Sequence, residues 1–220
     1  MMAEPPSSRR GGKRETREAL IQAGIVELAE KGLEGPSLDA ICARAGFTRG
    51  AFYVHFEDRE DFIAAVMERV LGSFLDAIIA TGSHEHDLAQ TVTRFTDDVA
   101  RWRRGDEGAL IGFPVPGAGR AVQFHRLIEA CTRSPRIRER WVALVREAIE
   151  RVAKAGSEGQ LAGSVRGDVE AEQIGTLLVS LALGAVAALE SGVPFDPARA
   201  RDAVLALLSA PSASKSHRRG

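Results

Sequence analysis

Ser37-Leu38-Asp39-Ala40-Ile41-Cys42-Ala43-Arg44-Ala45-Gly46-Phe47-Thr48-Arg49-Gly50-Ala51-Phe52-Tyr53-Val54-His55-Phe56 contains two helix-sized segments around a glycine. Ser37 is a favourable N-cap, and Asp39 sits in the first turn, where a negative charge complements the helix dipole. Leu38, Ile41, Cys42 and Ala45 give this segment an apolar face, and Gly46 ends it. Thr48 can cap the next segment, which carries Phe52 and Phe56 inward at a spacing of four. Phe47 is expected to join them in the core. Two short helices joined by a tight Gly-containing turn form the pattern that presents its second helix to a DNA major groove.

The side chains on that second segment suit the task. Thr48 offers a hydroxyl at a helix start, where backbone N–H groups attract phosphate. Gly50 allows close approach of the backbone, and Arg49 can pair bidentately with guanine. Tyr53 and His55 carry polar tips suited to phosphate oxygens, and Arg59 can hold the backbone from the start of the following helix.

Outward from this core, helical periodicity predicts a helix from Lys13, with Leu20, Ile21, Gly24, Ile25 and Leu28 on one face, ended by Gly32. Beyond Phe56 a long pattern carries Phe62, Ile63, Val66, Met67, Val70 and Leu71. Further helices are predicted from Leu88 to about Arg104, from Arg120 to Arg133, and from there to Lys154. Gly156 to Gly167 reads as a polar loop, followed by helices from Asp168 to Ser191 and from Pro197 to Ser209. The glycines and prolines between Gly105 and Gly119 predict a loop or broken helix. The class is all-α.

The chain has 220 residues, 45% hydrophobic and 27% charged, which is sufficient for a buried core and excludes wholesale disorder. The net charge is −1, so a basic surface must be local. Arg9, Arg10, Lys13, Arg14 and Arg17 supply one, and a mobile basic arm over residues 1–12 can enter a minor groove or remain a solvated leader. Cys42 and Cys131 make neither a disulfide framework nor a zinc site. The leading residues lack the apolar run of a signal peptide. Ile174–Leu189, uncharged throughout, falls short of the roughly 18–20 apolar residues of a membrane span. A reduced, cytoplasmic protein without membrane contact is expected.

Ser37–Phe56, preceded by Ala29-Glu30-Lys31-Gly32 and followed by Glu57-Asp58-Arg59-Glu60, resembles the signature of TetR/AcrR-type transcriptional regulators. The match spans roughly residues 16–65, with Arg59 where a lysine is usual. The resemblance implies an N-terminal helix-turn-helix DNA-binding domain at 13–58, and a C-terminal helical ligand-binding and dimerisation domain at 59–209. Residues 210–220 remain as a disordered tail. It further implies a homodimer on palindromic, double-stranded operator DNA, with Ser37, Tyr53, His55 and Arg59 on phosphates. Asp39, Arg49, Gly50, Ala51 and Val54 would lie against bases. An acid at position 39 can accept from cytosine or pair with Arg49.

In the second domain, Ile174–Leu189 is apolar nearly all round and rich in Gly and Ala. Such a helix must be covered on more than one side, which a partner subunit joined through the two C-terminal helices would do. Met67, Leu71, Phe95, Trp102, Phe113, Phe124 and Trp141, with His125 as a polar group, are candidates to line an apolar cavity for a small-molecule effector. Each of the aromatics is equally well explained as core.

His84-Glu85-His86 lacks the third and fourth ligands of a zinc site. No nucleophile–base order and no phosphate-cradling lysine stands out. Neither catalysis nor a metal nor a cofactor is expected. The competing readings are a ligand-independent helix-turn-helix architectural factor and a helical metabolite-binding protein.

Overall fold

A computed structural model of the chain describes residues 7–31, 36–79, 87–104 and 123–209. Among the described residues every regular element is a helix: α1 (Ser7–Lys31), α2 (Leu38–Ala45), α3 (Arg49–His55), α4 (Arg59–Ile79), α5 (Leu88–Arg104), α6 (Phe124–Arg133), α7 (Pro135–Leu161), α8 (Ala171–Glu190) and α9 (Pro197–Leu208). They form two compact units. The first comprises α1–α3, α4 to Leu75, α6 and α7 to Val145; the second comprises the remainder.

The first unit is organised by three phenylalanines. Phe52 of α3 and Phe56, the residue that caps its C-terminus, meet Phe62 of α4 with ring centroids 5.0–5.2 Å apart, and all three are buried. Leu20, Ile21, Ile25 and Leu28 of α1 and Ile41 and Cys42 of α2 complete the cluster. Gly24 is demanded by this packing, since a Cβ there would stand 2.2 Å from Phe62 Cζ. Leu127 and Cys131 of α6 and Ile137 and Leu144 of α7 join the same core.

The second unit buries Leu88 and Val92 of α5 with Val152 and Ala155 of α7, Val165, Ile174 of α8 and Leu208 of α9. Here α7 and α8 approach closely. A Cβ on Gly175 would lie 2.7 Å from the Ile149 carbonyl oxygen. Asp196 caps α9, accepting from the amides of Ala198 and Arg199, with Pro197 in the first turn.

Several element bounds differ from those expected. Helix α1 starts at Ser7 rather than Lys13. Helix α7 continues through Gly156 and Gly159 to Leu161, where a loop was expected. Gly156 packs near Leu88 and Ala171, and a Cβ on Gly159 would strike Val165. These glycines therefore serve close packing, and the turn comes at Gly163, with φ of 74° and the Ser164 and Val165 amides donating to the Gly159 carbonyl. Helix α8 starts three residues later than expected, because Asp168 is held by the Arg166 guanidinium through two contacts of 2.7 Å.

The whole of α8, unlike Ile174–Leu189 alone, is long and apolar enough to cross a membrane by length and composition. Its Ile174–Gly175 side is nevertheless packed as a core element. Residues 1–6, 32–35, 80–86, 105–122 and 210–220, and with them Gly32 and the His84-Glu85-His86 group, lie outside the described residues.

Candidate nucleic-acid interface

The geometry around Gly46 follows from its local sequence. Ser37 Oγ accepts from the Ala40 amide at 3.1 Å and starts α2. Gly46 takes the left-handed conformation at φ 76°, which favours glycine, while the Phe47 amide donates to the Cys42 carbonyl at 2.9 Å. Thr48 Oγ1 accepts from the Ala51 amide at 3.3 Å and starts α3. Both caps are those the residues predicted. Phe47 is a correction: it lies in the turn itself and is exposed, because the left-handed step at Gly46 leads the chain away from the core.

Helix α3 is seven residues long and sharply two-faced. Its Phe52 is buried, while Arg49 and Gly50 are exposed, as are Tyr53 at 54% and Val54 at 60%. Ala51 and His55 are half-buried at the edges. Tyr53 stands edge-on to Phe52 with centroids 5.4 Å apart, so its ring is braced while its hydroxyl end faces outward. A Cβ on Gly50 would meet only Thr48 Oγ1, at 3.7 Å, so the chain's own packing does not require glycine there.

Arg49 Nε lies 3.3 Å from Asp39 Oδ1, linking the outward faces of α3 and α2. His55 sits near Lys13 and Arg17 of α1; burial, then these two cations, holds its imidazole below the ordinary histidine range. The Arg17 guanidinium lies 5.3 Å from the centre of the Phe56 ring. Lys13 and Arg17 were not picked out by sequence reading as neighbours of His55, although their i, i+4 spacing placed both on one side of α1. Arg59 opens α4 and is half-buried.

A buried brace sets α2 against α1. Glu27 receives Lys31 Nζ and Arg44 Nε, each at 2.7 Å, and Arg44 also reaches Glu30 at 2.8 Å. The Lys31 hydrogen bond, with Arg44 beside it, holds the Glu27 carboxyl below its usual range despite burial. Glu18 and Arg69 pair between α1 and α4. Burial pushes the Cys42 thiol up, which suits a packing role.

Residues 20–66 match the family model described as bacterial regulatory proteins, tetR family. This N-terminal segment is similar to that family. Among its relatives, the HTH-type transcriptional repressor DhaR of Mycobacterium sp. (strain GP1) is 27% identical over 173 residues, covering 77% of this chain and 80% of DhaR. The first curated relatives match over only 26–31% of their own length. The reduced form of Escherichia coli NemR superposes with a TM-score of 0.69 at 21% identity, covering 90% of this chain and 98% of NemR. The triclosan complex of SmeT, the repressor of a Stenotrophomonas maltophilia multidrug efflux pump, does so with a TM-score of 0.58 at 24% identity, covering 87% and 90%. The matched segment contains the whole of α2 and α3.

The candidate ligand residues are distributed as follows. Met67 is buried in the first core, with Phe124 and Trp141 half-buried against it, their rings 6.0 Å apart. His125 begins α6 and is exposed, and Phe95 is half-buried on α5 in the second unit. Phe113 and the side chains of Leu71 and Trp102 lie outside the described residues. Among the described residues no group of three or more His, Cys, Asp or Glu is placed to hold a metal.

Proposed function

We propose that the chain is a non-enzymatic, cytoplasmic transcriptional repressor that binds a palindromic operator as a homodimer and is released by an apolar or amphipathic small molecule. The observation that carries the reading is the split of α3. Phe52 and Phe56 anchor it, while Arg49, Gly50, Tyr53 and Val54 face outward together. In this reading Arg49, Gly50, Ala51, Val54 and Asp39 lie along the base edges. Ser37, Thr48, Tyr53, His55 and Arg59 hold phosphates on either side.

The dimer is supported by α8 and α9. Leu177 at 52% and Leu181 at 46% exposure stand on one side of α8 with the open Gly184, and Leu207 of α9 is also exposed. An apolar face of this kind calls for a second copy to cover it. DhaR is named a repressor, and SmeT was solved with triclosan; both support a ligand-released repressor.

The route from ligand to DNA runs inside the first unit. Ser134 donates to Glu60 at 2.8 Å, while Arg136 reaches Glu57 at 2.8 Å and Asp58 at 3.1 Å. The α6–α7 junction is thereby tied to the start of α4, on the same helices that carry Phe124 and Trp141. A ligand moving these rings would move α4 and shift the spacing of the two α3 helices away from successive major grooves.

The test is a gel shift with the DNA upstream of the protein's own gene, repeated with apolar compounds that raise the melting temperature. A sequence-specific shift, lost on adding such a compound, is expected. Absence of any specific shift would exclude the reading. Compounds that stabilise the protein yet leave operator affinity unchanged would exclude the inducer role.

A further inference from the structure

We infer that Asp39 is a positioning residue that sets the Arg49 guanidinium to read one guanine in each half-site. The inference rests on the DNA-binding reading of α3 and specifies how its single outward arginine discriminates.

Arg49 and Asp39 come from different helices of the motif and meet at 3.3 Å through Nε, with 57% and 68% of their side chains exposed. An ion pair this exposed does little for stability, because water screens it and two flexible side chains must be ordered to make it. Neither side chain is needed for the core, which Phe52, Phe56 and Ile41 supply. The pair therefore acts on the outward surface.

Its geometry fits one use. A guanidinium presents donors along two edges, one containing Nε and the other formed by the two terminal nitrogens. With the Nε edge turned towards Asp39 at 3.3 Å, the edge presented to a partner is the terminal fork. Two parallel donors match guanine O6 and N7 in the major groove, the pairing by which arginine discriminates that base. A long side chain that would otherwise sample many rotamers is thus limited before DNA arrives, which reduces the ordering cost of binding. On contact with DNA, exclusion of water strengthens the pair.

The same geometry disfavours Asp39 as a direct reader of cytosine. Its Oδ1 oxygen faces Arg49, and a carboxylate approaching DNA alone would meet phosphate repulsion that the arginine offsets. Asp39 next to Arg49 also makes the local charge neutral, so the pair favours one base without raising affinity for all DNA.

Selection from a pool of random-sequence duplex DNA tests this with the full-length protein and the Asp39→Ala, Asp39→Asn and Arg49→Ala variants. The wild type is expected to select a guanine at one position of each half-site. Arg49→Ala should lose that preference, a change of about 5- to 150-fold in discrimination. Asp39→Ala should weaken the preference at the same position, while its affinity for unselected DNA stays level or rises. Asp39→Asn retains an oxygen acceptor and should restore part of the discrimination. An Asp39→Ala protein that selects guanine as strongly as the wild type would overturn the inference. So would a lost cytosine preference at another base pair, which would make Asp39 a reader itself. A wild-type protein selecting no sequence would overturn the reading of function along with it.

Discussion

Ser134 holds two elements with one hydroxyl: it donates to Glu60 of α4 at 2.8 Å and accepts from the Ile137 amide at 3.2 Å, starting α7. The residue and its bond to Ile137 are buried, whereas the Glu60 end of the other bond is exposed. Ser134→Ala removes both at once. The lost cap alone predicts a stability decrease of about 1 kcal/mol in chemical denaturation. Operator release by an effector should also become less complete, because the tie between α4 and the α6–α7 junction is weakened. A variant as stable and as responsive as the wild type would remove Ser134 from both roles.

The outward residues of α3 divide by what they contact. Arg49→Ala should cost about 1–3 kcal/mol on the best site and relax one base preference. Tyr53→Phe and Arg59→Ala should weaken binding to all sequences alike, with a shallower salt dependence for the Arg59 change. Fluorescence anisotropy over a salt series on specific and scrambled duplexes separates the two classes.

If His55 contacts DNA as proposed, affinity should depend on pH. Its folded-state imidazole titrates below the ordinary histidine range, so it is neutral near neutral pH. As pH falls, protonation adds a positive charge beside Lys13 and Arg17, and affinity for DNA should rise. Stability moves the other way. Because the unfolded chain binds the proton first, the contribution present above the ordinary histidine pKa is lost as pH falls from that value towards the lower folded one. His55→Gln should flatten both dependences between about pH 7 and 5. Unchanged pH profiles in the variant would assign them to other groups.

The dimer is tested on the exposed side of α8. Ala185 is buried within the chain, so a charge there would strike folding as much as association. Leu181→Glu instead places the charge on a position already solvated in one chain. It should leave the helical circular-dichroism signal intact while halving the mass seen in sedimentation. A parent protein that sediments as a monomer and still binds its operator tightly would contradict the assignment.

Gly24→Ala tests the packing of α1 against α4. The added methyl group would stand 2.2 Å from Phe62 Cζ, and Phe62 is fully buried between Phe52 and Phe56. Overpacking costs about 1–3 kcal/mol, more than the roughly 1 kcal/mol that alanine gains over glycine in a helix. A lower denaturation midpoint is expected, although the exchange would stabilise an exposed helix.

Local signals carried most of what the sequence revealed. Ser37, Gly46 and Thr48 declare their caps through neighbours one to four residues away, and Phe52 and Phe56 declare a buried face by spacing. Contacts between distant segments were not legible. Nothing local to Gly156 or Gly159 tells a helix breaker from a glycine packed tightly inside α7; the difference lies in Leu88, Ala171 and Val165. Nothing in the sequence around Glu27 sets it apart, and only the approach of Arg44 from α2 makes it a buried brace. At position 39 the sequence offers two alternatives, and only the placing of α2 beside α3 brings Asp39 within 3.3 Å of Arg49. The cavity candidates were chosen by residue type alone, and Phe95 belongs to a different unit from Met67, Phe124 and Trp141.

Helix α3 is attached to the molecule through Phe52 and, at its end, Phe56, whereas Arg49, Gly50, Tyr53 and Val54 face away from the core. Under the proposed function, stability and target choice would be written on different residues of one seven-residue helix. Exchanges at the outward positions should then change which DNA is recognised at little thermodynamic cost, since exposed sites away from caps and special backbone usually shift stability by less than about 0.5 kcal/mol. A library varied at Arg49, Tyr53 and Val54, with both phenylalanines kept, would yield mostly folded proteins with redirected specificity, and so would let new regulatory circuits arise from a single scaffold.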